Sequence, residues 1–289
     1  MAQDFRFGAA LGATTSRAAW VERCRRAEEL GFDVIGVPDH LGMLAPFPAM
    51  MLAAEATERV RLNTFVLNAP FYSPALLARE AATVDLLTDG RVELGLGAGY
   101  AAAEFERAGI PFPSARERVD LLDATAAALR AAFADPQHTP RPAQPGGPPL
   151  FIAGWGDRLL GVAARHAAIV GLTGARTDDA GRLRLTTEAD AVGRIAHLNG
   201  LLGERAGTVE INLVIQALLP SGTGRPERLT ERVMWDEAAP EEYISLLVGT
   251  PRAMADRLLE LRERHGIGYL TVLDHNLEAM APVIELLRS

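Results

Sequence analysis

Short apolar runs alternate with longer stretches of helical period from one end of the chain to the other. Runs at 5–10, 33–38, 61–68, 91–97, 149–153, 167–172, 209–219 and 267–274 have the composition of strands buried on both faces. Between them apolar residues recur every three to four positions. Trp20, Cys24 and Ala27 share a face that Gly31 closes, and Leu77, Ala81, Val84 and Thr88 share another. Met254, Leu258, Leu261 and His265 share a third, entered through Pro251 at a first helical turn. Eight strands alternating with about as many helices predict an α/β chain folded as a (β/α)8 TIM barrel, one domain over 1–289. A doubly wound sheet fits the same periodicity. The Pro-rich stretch 136–149 is too short to divide the chain and reads as a midway loop; 173–190 and 220–240 exceed ordinary connections and read as functional loops or insertions.

Composition narrows this picture by exclusion. Apolar residues make up 48% of the 289, enough for a large core, and the net charge of -8 argues against nucleic acid, whose phosphates demand a basic surface. Cys24 is the only cysteine, which excludes an intramolecular disulfide and a cysteine-based zinc site. All 29 basic residues are arginine, so lysine Schiff-base chemistry and a P-loop are excluded as well. The first sixteen residues lack a signal-peptide pattern and no apolar run approaches a membrane span, so a cytoplasmic protein without membrane contact is expected.

The chemistry-bearing residues fall where a barrel keeps its active site, just after the strands. In "DVIGVPDH" the second run stops at Pro38 and delivers Asp39 and His40. Strand alternation aims Val34 and Gly36 one way and Ile35 and Val37 the other, and the same parity carried onward puts His40 on the inner side. An imidazole titrating near roughly 6.5 exchanges its proton at cellular pH, although an Asp-His pair also serves as a capping turn. In "RVELGLGAGYAAAEF", Gly97, Gly99 and Ala102 match a dinucleotide fingerprint, but Asp120, at the spacing of a ribose-binding acid, falls inside a helix. The barrel reading is that Gly95 and Gly97 face inward and leave space for a flat ligand; close backbone packing is the alternative. Gly154-Trp155-Gly156 runs from a strand into a helix, a cradle for phosphate or an ordinary turn, with Asp157 as an N-terminal helix charge. Arg176 and His275 follow the sixth and eighth strands and reach the same mouth; Arg176 binds an anion there or pairs with Asp178 or Asp179.

With these residues in place, "AEELGFDVIGVPDH", "SPALLAREAATVDLLTDGRVELGLGAGY", "PLFIAGWGD" and "VGTPRAMADRL" together resemble the bacterial luciferase-like flavin and deazaflavin oxidoreductases over essentially the whole length. The resemblance implies a (β/α)8 barrel and either reduced FMN for oxygen chemistry or coenzyme F420 for hydride transfer. The F420 branch fits more closely. It implies that His40 handles the substrate proton and that Asp39 helps hold the ring. It further implies that Thr64, Phe65 and Val66 form a bulged strand whose cis peptide backs that ring, and that Gly154 to Asp157 hold the tail phosphate. Arg158 or Arg176 is expected to neutralise that tail. Arg176 also lies near a basic residue that binds substrate phosphate in sugar-phosphate members. Tyr100 stands where those members have an acidic residue, which counts against a sugar phosphate here. The expected substrate is a small molecule, bound with the help of Tyr100, Arg176 and His275. The expected reaction is hydride transfer, including reduction of an imine, ketone or alkene, in a homodimer. The alternative is an FMN-dependent monooxygenase.

Overall fold

The computed structural model describes residues 5–12, 14, 16–177, 183–221, 233–234 and 239–289. Eight parallel strands form the barrel: β1 (Arg6–Ala10), β2 (Val34–Val37), β3 (Arg61–Thr64, resuming at Leu67–Asn68), β4 (Val92–Gly97), β5 (Leu150–Ala153), β6 (Ile169–Leu172), β7 (Glu210–Ile215) and β8 (Ile267–Leu273). β1 pairs with both β2 and β8, and the ring closes where Leu62 and Asn63 of β3 pair with Val92 and Glu93 of β4. The barrel reading therefore stands and the doubly wound alternative falls.

Helices α1 (Arg17–Glu29), α2 (Pro46–Ala56), α3 (Pro74–Leu87), α4 (Ala102–Ala108), α5 (Ala115–Ala134), α6 (Asp157–His166), α7 (Glu188–Leu202), α8 (Pro251–His265) and α9 (Leu277–Arg288) surround it. Their starts follow local chemistry. The Ser16 hydroxyl accepts from the Ala19 N–H, Ser114 and Glu117 cap α5 reciprocally, and Thr250 caps α8 ahead of Pro251.

Strand parity separates two cores. Ile35, Val37, Val92, Leu94 and Leu96 pack outward under the helices with Trp20, Cys24 and Ala27. Val34, Phe151, Ile169 and Tyr269 fill the barrel itself. At the amino end of the strands the interior is charged: Arg6 pairs with Glu93 and Glu210, and Arg61 Nε reaches Glu93 Oε1 at 2.8 Å. That plug leaves the carboxyl end as the open face.

The run 209–219, expected as one strand, is two. β7 ends at Ile215, the Gln216 N–H turns to the Ser245 carbonyl, and Ala217–Pro220 pairs with Leu246–Gly249 outside the barrel. The expected insertion at 173–190 carries an antiparallel pair, Ala175–Thr177 with Leu183–Leu185, to which Val233–Met234 adds in parallel. Among the described residues no helix is long and apolar enough to cross a membrane.

Candidate active site

A cavity of about 610 Å³ opens at the carboxyl end of the strands. Its walls come from the segments after β2, β3, β4, β5 and β6, so residues far apart in sequence share one space. Asp39 and His40 both line it; strand-two parity predicts this of His40, and Asp39 joins it although strict alternation would aim it the other way.

Asp39 is held from one side. Its Oδ2 accepts the Asn68 N–H and the Tyr72 hydroxyl, each at 3.0 Å. Burial nevertheless outweighs these bonds and pushes the carboxyl above its usual range, with Glu104 adding in the same direction. His40 Nδ1 is hydrogen-bonded to Glu104 Oε1 at 2.8 Å, and the Tyr100 ring stands edge-on to the imidazole with centroids 6.1 Å apart. Asp39, His40 and Glu104 thus form one acid-base cluster on the cavity wall.

β3 is interrupted where the resemblance implies it. A cis peptide joins Phe65 to Val66, the ladder lapses, and pairing resumes as Leu67 meets Leu96. Phe65 and Val66 line the cavity, with the Phe65 ring 5.7 Å from that of Phe151. Thr64 does not. It is fully buried, its hydroxyl donating to the Gly95 carbonyl at 2.9 Å and accepting the Gly95 N–H at 2.8 Å. Expected as a ligand contact, it is the pin that fastens β3 to β4 below the bulge.

Gly97 and Gly99 form the floor. A Cβ on Gly97 would stand 2.8 Å from Val66 Cγ2, and one on Gly99 would overlap the Asn68 carboxamide. Gly99 also has φ +74°, the left-handed region. Asn68 is buried, lines the cavity, and its Oδ1 has no hydrogen-bond partner. Arg118 Nε donates to the Gly99 carbonyl at 2.9 Å and its guanidinium lies 4.2 Å over the Phe112 ring.

β5 leads through Gly154, Trp155 and Gly156, all on the cavity wall, into α6. A Cβ on Gly154 would meet Leu159 at 2.5 Å, whereas one on Gly156 meets nothing within 4 Å. No side chain caps the α6 start, so its first N–H groups remain available to an anion. Asp157 is turned away, paired with Arg194 outside the cavity.

Two further expected residues sit elsewhere. Arg158 pairs with Asp120 of α5, and His275 is exposed beside Asp274, Nδ1 to Oδ1 3.8 Å; neither lines the cavity. Asp274, directly after β8, pairs with Arg23 of α1 and accepts the Gly12 N–H. Arg176 does line the cavity, while Asp178 and Asp179 lie outside the described residues. Sequence reasoning missed Glu104, Asn68, Tyr72 and Arg118. None of them carried a signal in the sequence, because each acts through a contact made only by the fold.

A family model described as luciferase-like monooxygenase matches residues 2–196. The chain belongs to that family. Among curated relatives, an F420-dependent glucose-6-phosphate dehydrogenase of Amycolatopsis mediterranei is 42% identical over 107 residues, 34% of this chain and 32% of that one. Its counterpart in Intrasporangium calvum is 34% identical over 170 residues, 50% of each chain. The oxygenase component of a flavin-dependent trigonelline monooxygenase from Acinetobacter baylyi is 37% identical over 92 residues, 30% of this chain and 26% of that one. The matches therefore span no more than half the length of these relatives. Within the luciferase-like fold, an F420-dependent secondary alcohol dehydrogenase in complex with an F420-acetone adduct superimposes with TM-score 0.78 at 16% identity, covering 99% and 100% of the two chains. A long-chain alkane monooxygenase does so with TM-score 0.78 at 14% identity, covering 100% and 92%. At these identities the likeness is one of fold.

Proposed function

We propose that this chain is an F420-dependent oxidoreductase that transfers a hydride between the deazaflavin and an electrophilic carbon of a small organic substrate. The observation that carries the reading is His40, an imidazole bonded through Nδ1 to Glu104 and set in the same cavity as the glycine floor. Hydride transfer to a ketone or imine needs a proton on the heteroatom, and in this reading His40, through the ring nitrogen not bonded to Glu104, supplies it. Oxygen activation has no such requirement. The F420-dependent dehydrogenases among its relatives support the same choice.

The residues present fit a flat, anionic cofactor. Gly97 and Gly99 line the cavity, where a Cβ on either would strike Val66 or Asn68 of the same wall, and Phe65 and Val66 offer an apolar surface. The Asn68 Oδ1 is an unused buried acceptor for a ring N–H, and the uncapped start of α6 accepts a tail phosphate. When bound, F420 supplies the hydride chemistry at C5. The chain's own residues orient and exclude water: the Phe65–Phe151 wall dries the reacting side, and Asp39 holds the Asn68 and Tyr72 segments in register. His40 Nε2 gives its proton in reduction and takes it in oxidation. Arg176, at the rim, meets an anionic part of cofactor or substrate.

The test is turnover of reduced F420 with a panel of imines, ketones and activated alkenes, followed by absorbance of the oxidised deazaflavin. His40→Ala lowers the rate by roughly 10²–10⁴, the range of a positioned acid or base, with cofactor affinity held within a few-fold. Undiminished turnover in His40→Ala would remove the imidazole from the reaction.

A further inference from the structure

His40 stands on the turn after β2 with its side chain about one-third exposed (35%), so packing alone does not fix the ring. The fixing contacts come from α4, a short helix after β4 that lies against the His40 turn. Phe105 anchors that helix: it is fully buried, edge to face with Phe71 at 4.8 Å and Phe112 at 5.0 Å. From this anchor two side chains on one helix face, spaced i and i+3, reach the His40 turn. Arg107 Nη1 donates to the Leu41 carbonyl at 3.2 Å, holding the backbone next to His40. Glu104 Oε1 accepts from His40 Nδ1 at 2.8 Å, holding the ring itself.

We propose that α4 is a clamp on this turn and that Glu104 is a positioning residue, fixing the neutral imidazole as its Nδ1–H tautomer so that Nε2 is the nitrogen that exchanges the proton. The inference rests on the reading that His40 moves the substrate proton, and adds which nitrogen does so and what selects it. A carboxylate on one ring nitrogen sets the role of the other, because it accepts only from a ring N–H. Neutral imidazole left to solvent prefers the Nε2–H form, which has no lone pair to present to a substrate hydroxyl. Tyr100, edge-on to the ring, and Asp39, its chain neighbour, are the other groups that face His40.

The experiment is long-range ¹H–¹⁵N correlation on the protein without cofactor, at a pH where imidazoles are neutral. His40 is identified among the six histidines by its loss in His40→Asn. The wild type shows His40 as Nδ1–H. Glu104→Leu converts it to Nε2–H, whereas Glu104→Gln, whose amide oxygen still accepts, keeps Nδ1–H. Turnover falls about ten- to a hundred-fold in Glu104→Leu at unchanged cofactor affinity, the usual size of an orienting contact, and recovers in part in Glu104→Gln. An Nε2–H signal in the wild type overturns the proposal whether or not any variant folds, and so does a Glu104→Leu spectrum that keeps Nδ1–H. If His40→Asn turns over normally, the proton assignment falls while the tautomer result stands. If His40→Asn is inactive but Glu104→Leu keeps tautomer and rate, only the clamp falls.

Discussion

Gly99→Ala tests whether the glycine floor keeps the cavity clear. Gly99 has φ +74°, where an L-residue costs roughly 1–2 kcal/mol. The new methyl overlaps the Asn68 carboxamide, which is buried and turns only toward the cavity, an off-rotamer displacement of about 0.5–1.5 kcal/mol. No hydrogen bond of Asn68 Oδ1 is lost, since it has none. The sum is about 1.5–3.5 kcal/mol. A chain of 289 residues unfolds with an entropy of about 0.6 kcal/mol/K, so Tm falls by about 2.5–6 °C. Cofactor affinity falls at least about tenfold, or about 1.4 kcal/mol, as Asn68 enters the space. Two further glycines bracket the result. Gly156→Ala meets no atom within 4 Å and changes stability by under about 1 kcal/mol, whereas Gly95→Ala drives a methyl into the Thr64 carbonyl and yields no folded protein. Thermal unfolding and a cofactor titration on each variant decide the matter. Gly99→Ala with unchanged Tm and unchanged affinity would refute the reasoning.

Other consequences are as direct. Thr64→Val keeps the shape but strands the buried Gly95 N–H, which costs about 1–3 kcal/mol and is read as a lower urea midpoint without loss of cofactor affinity. The folded state raises the pKa of Asp39, so it binds that proton more readily than the unfolded chain. The resulting penalty is absent below the usual carboxylate range and grows as pH rises through the folded value. Asp39→Asn therefore raises Tm more at about pH 7 than at about pH 4, and an equal shift at both would contradict this. Burial pushes the Cys24 thiol up to about 12 against the opposing Arg23, so a thiol reagent modifies it only after denaturation.

The fold was legible because each barrel strand carries one parity outward, as Val92, Leu94 and Leu96 do. Of the two glycines expected to leave space for a ligand, Gly97 lines the cavity, whereas a Cβ on Gly95 would strike the Thr64 carbonyl, so close backbone packing explains that glycine. The break at Gln216 was not legible: 209–219 is apolar throughout, and only the Ser245 carbonyl and the strand Leu246–Gly249 decide where pairing changes partner. Within the site, Asp39 and His40 were readable because they end a strand. Asn68, Tyr72 and Glu104 were not, since their roles come from bonds to Asp39 and His40 across 29, 33 and 64 residues of sequence. Arg158 was misjudged for the same reason, its partner Asp120 lying 38 residues away. Spacing reports periodic faces; it does not report pairs closed by the barrel.

The most direct test of the central claim is a parallel titration of the cofactor-free protein with F420 and with FMN, followed by tryptophan fluorescence. Trp155 lies on the cavity wall beside the uncapped start of α6, so binding there quenches it, and Trp155→Phe removes that part of the signal. F420 is expected to give saturable micromolar quenching and FMN to bind more weakly. Micromolar FMN binding with no detectable F420 binding would contradict the claim and put the monooxygenase reading in its place.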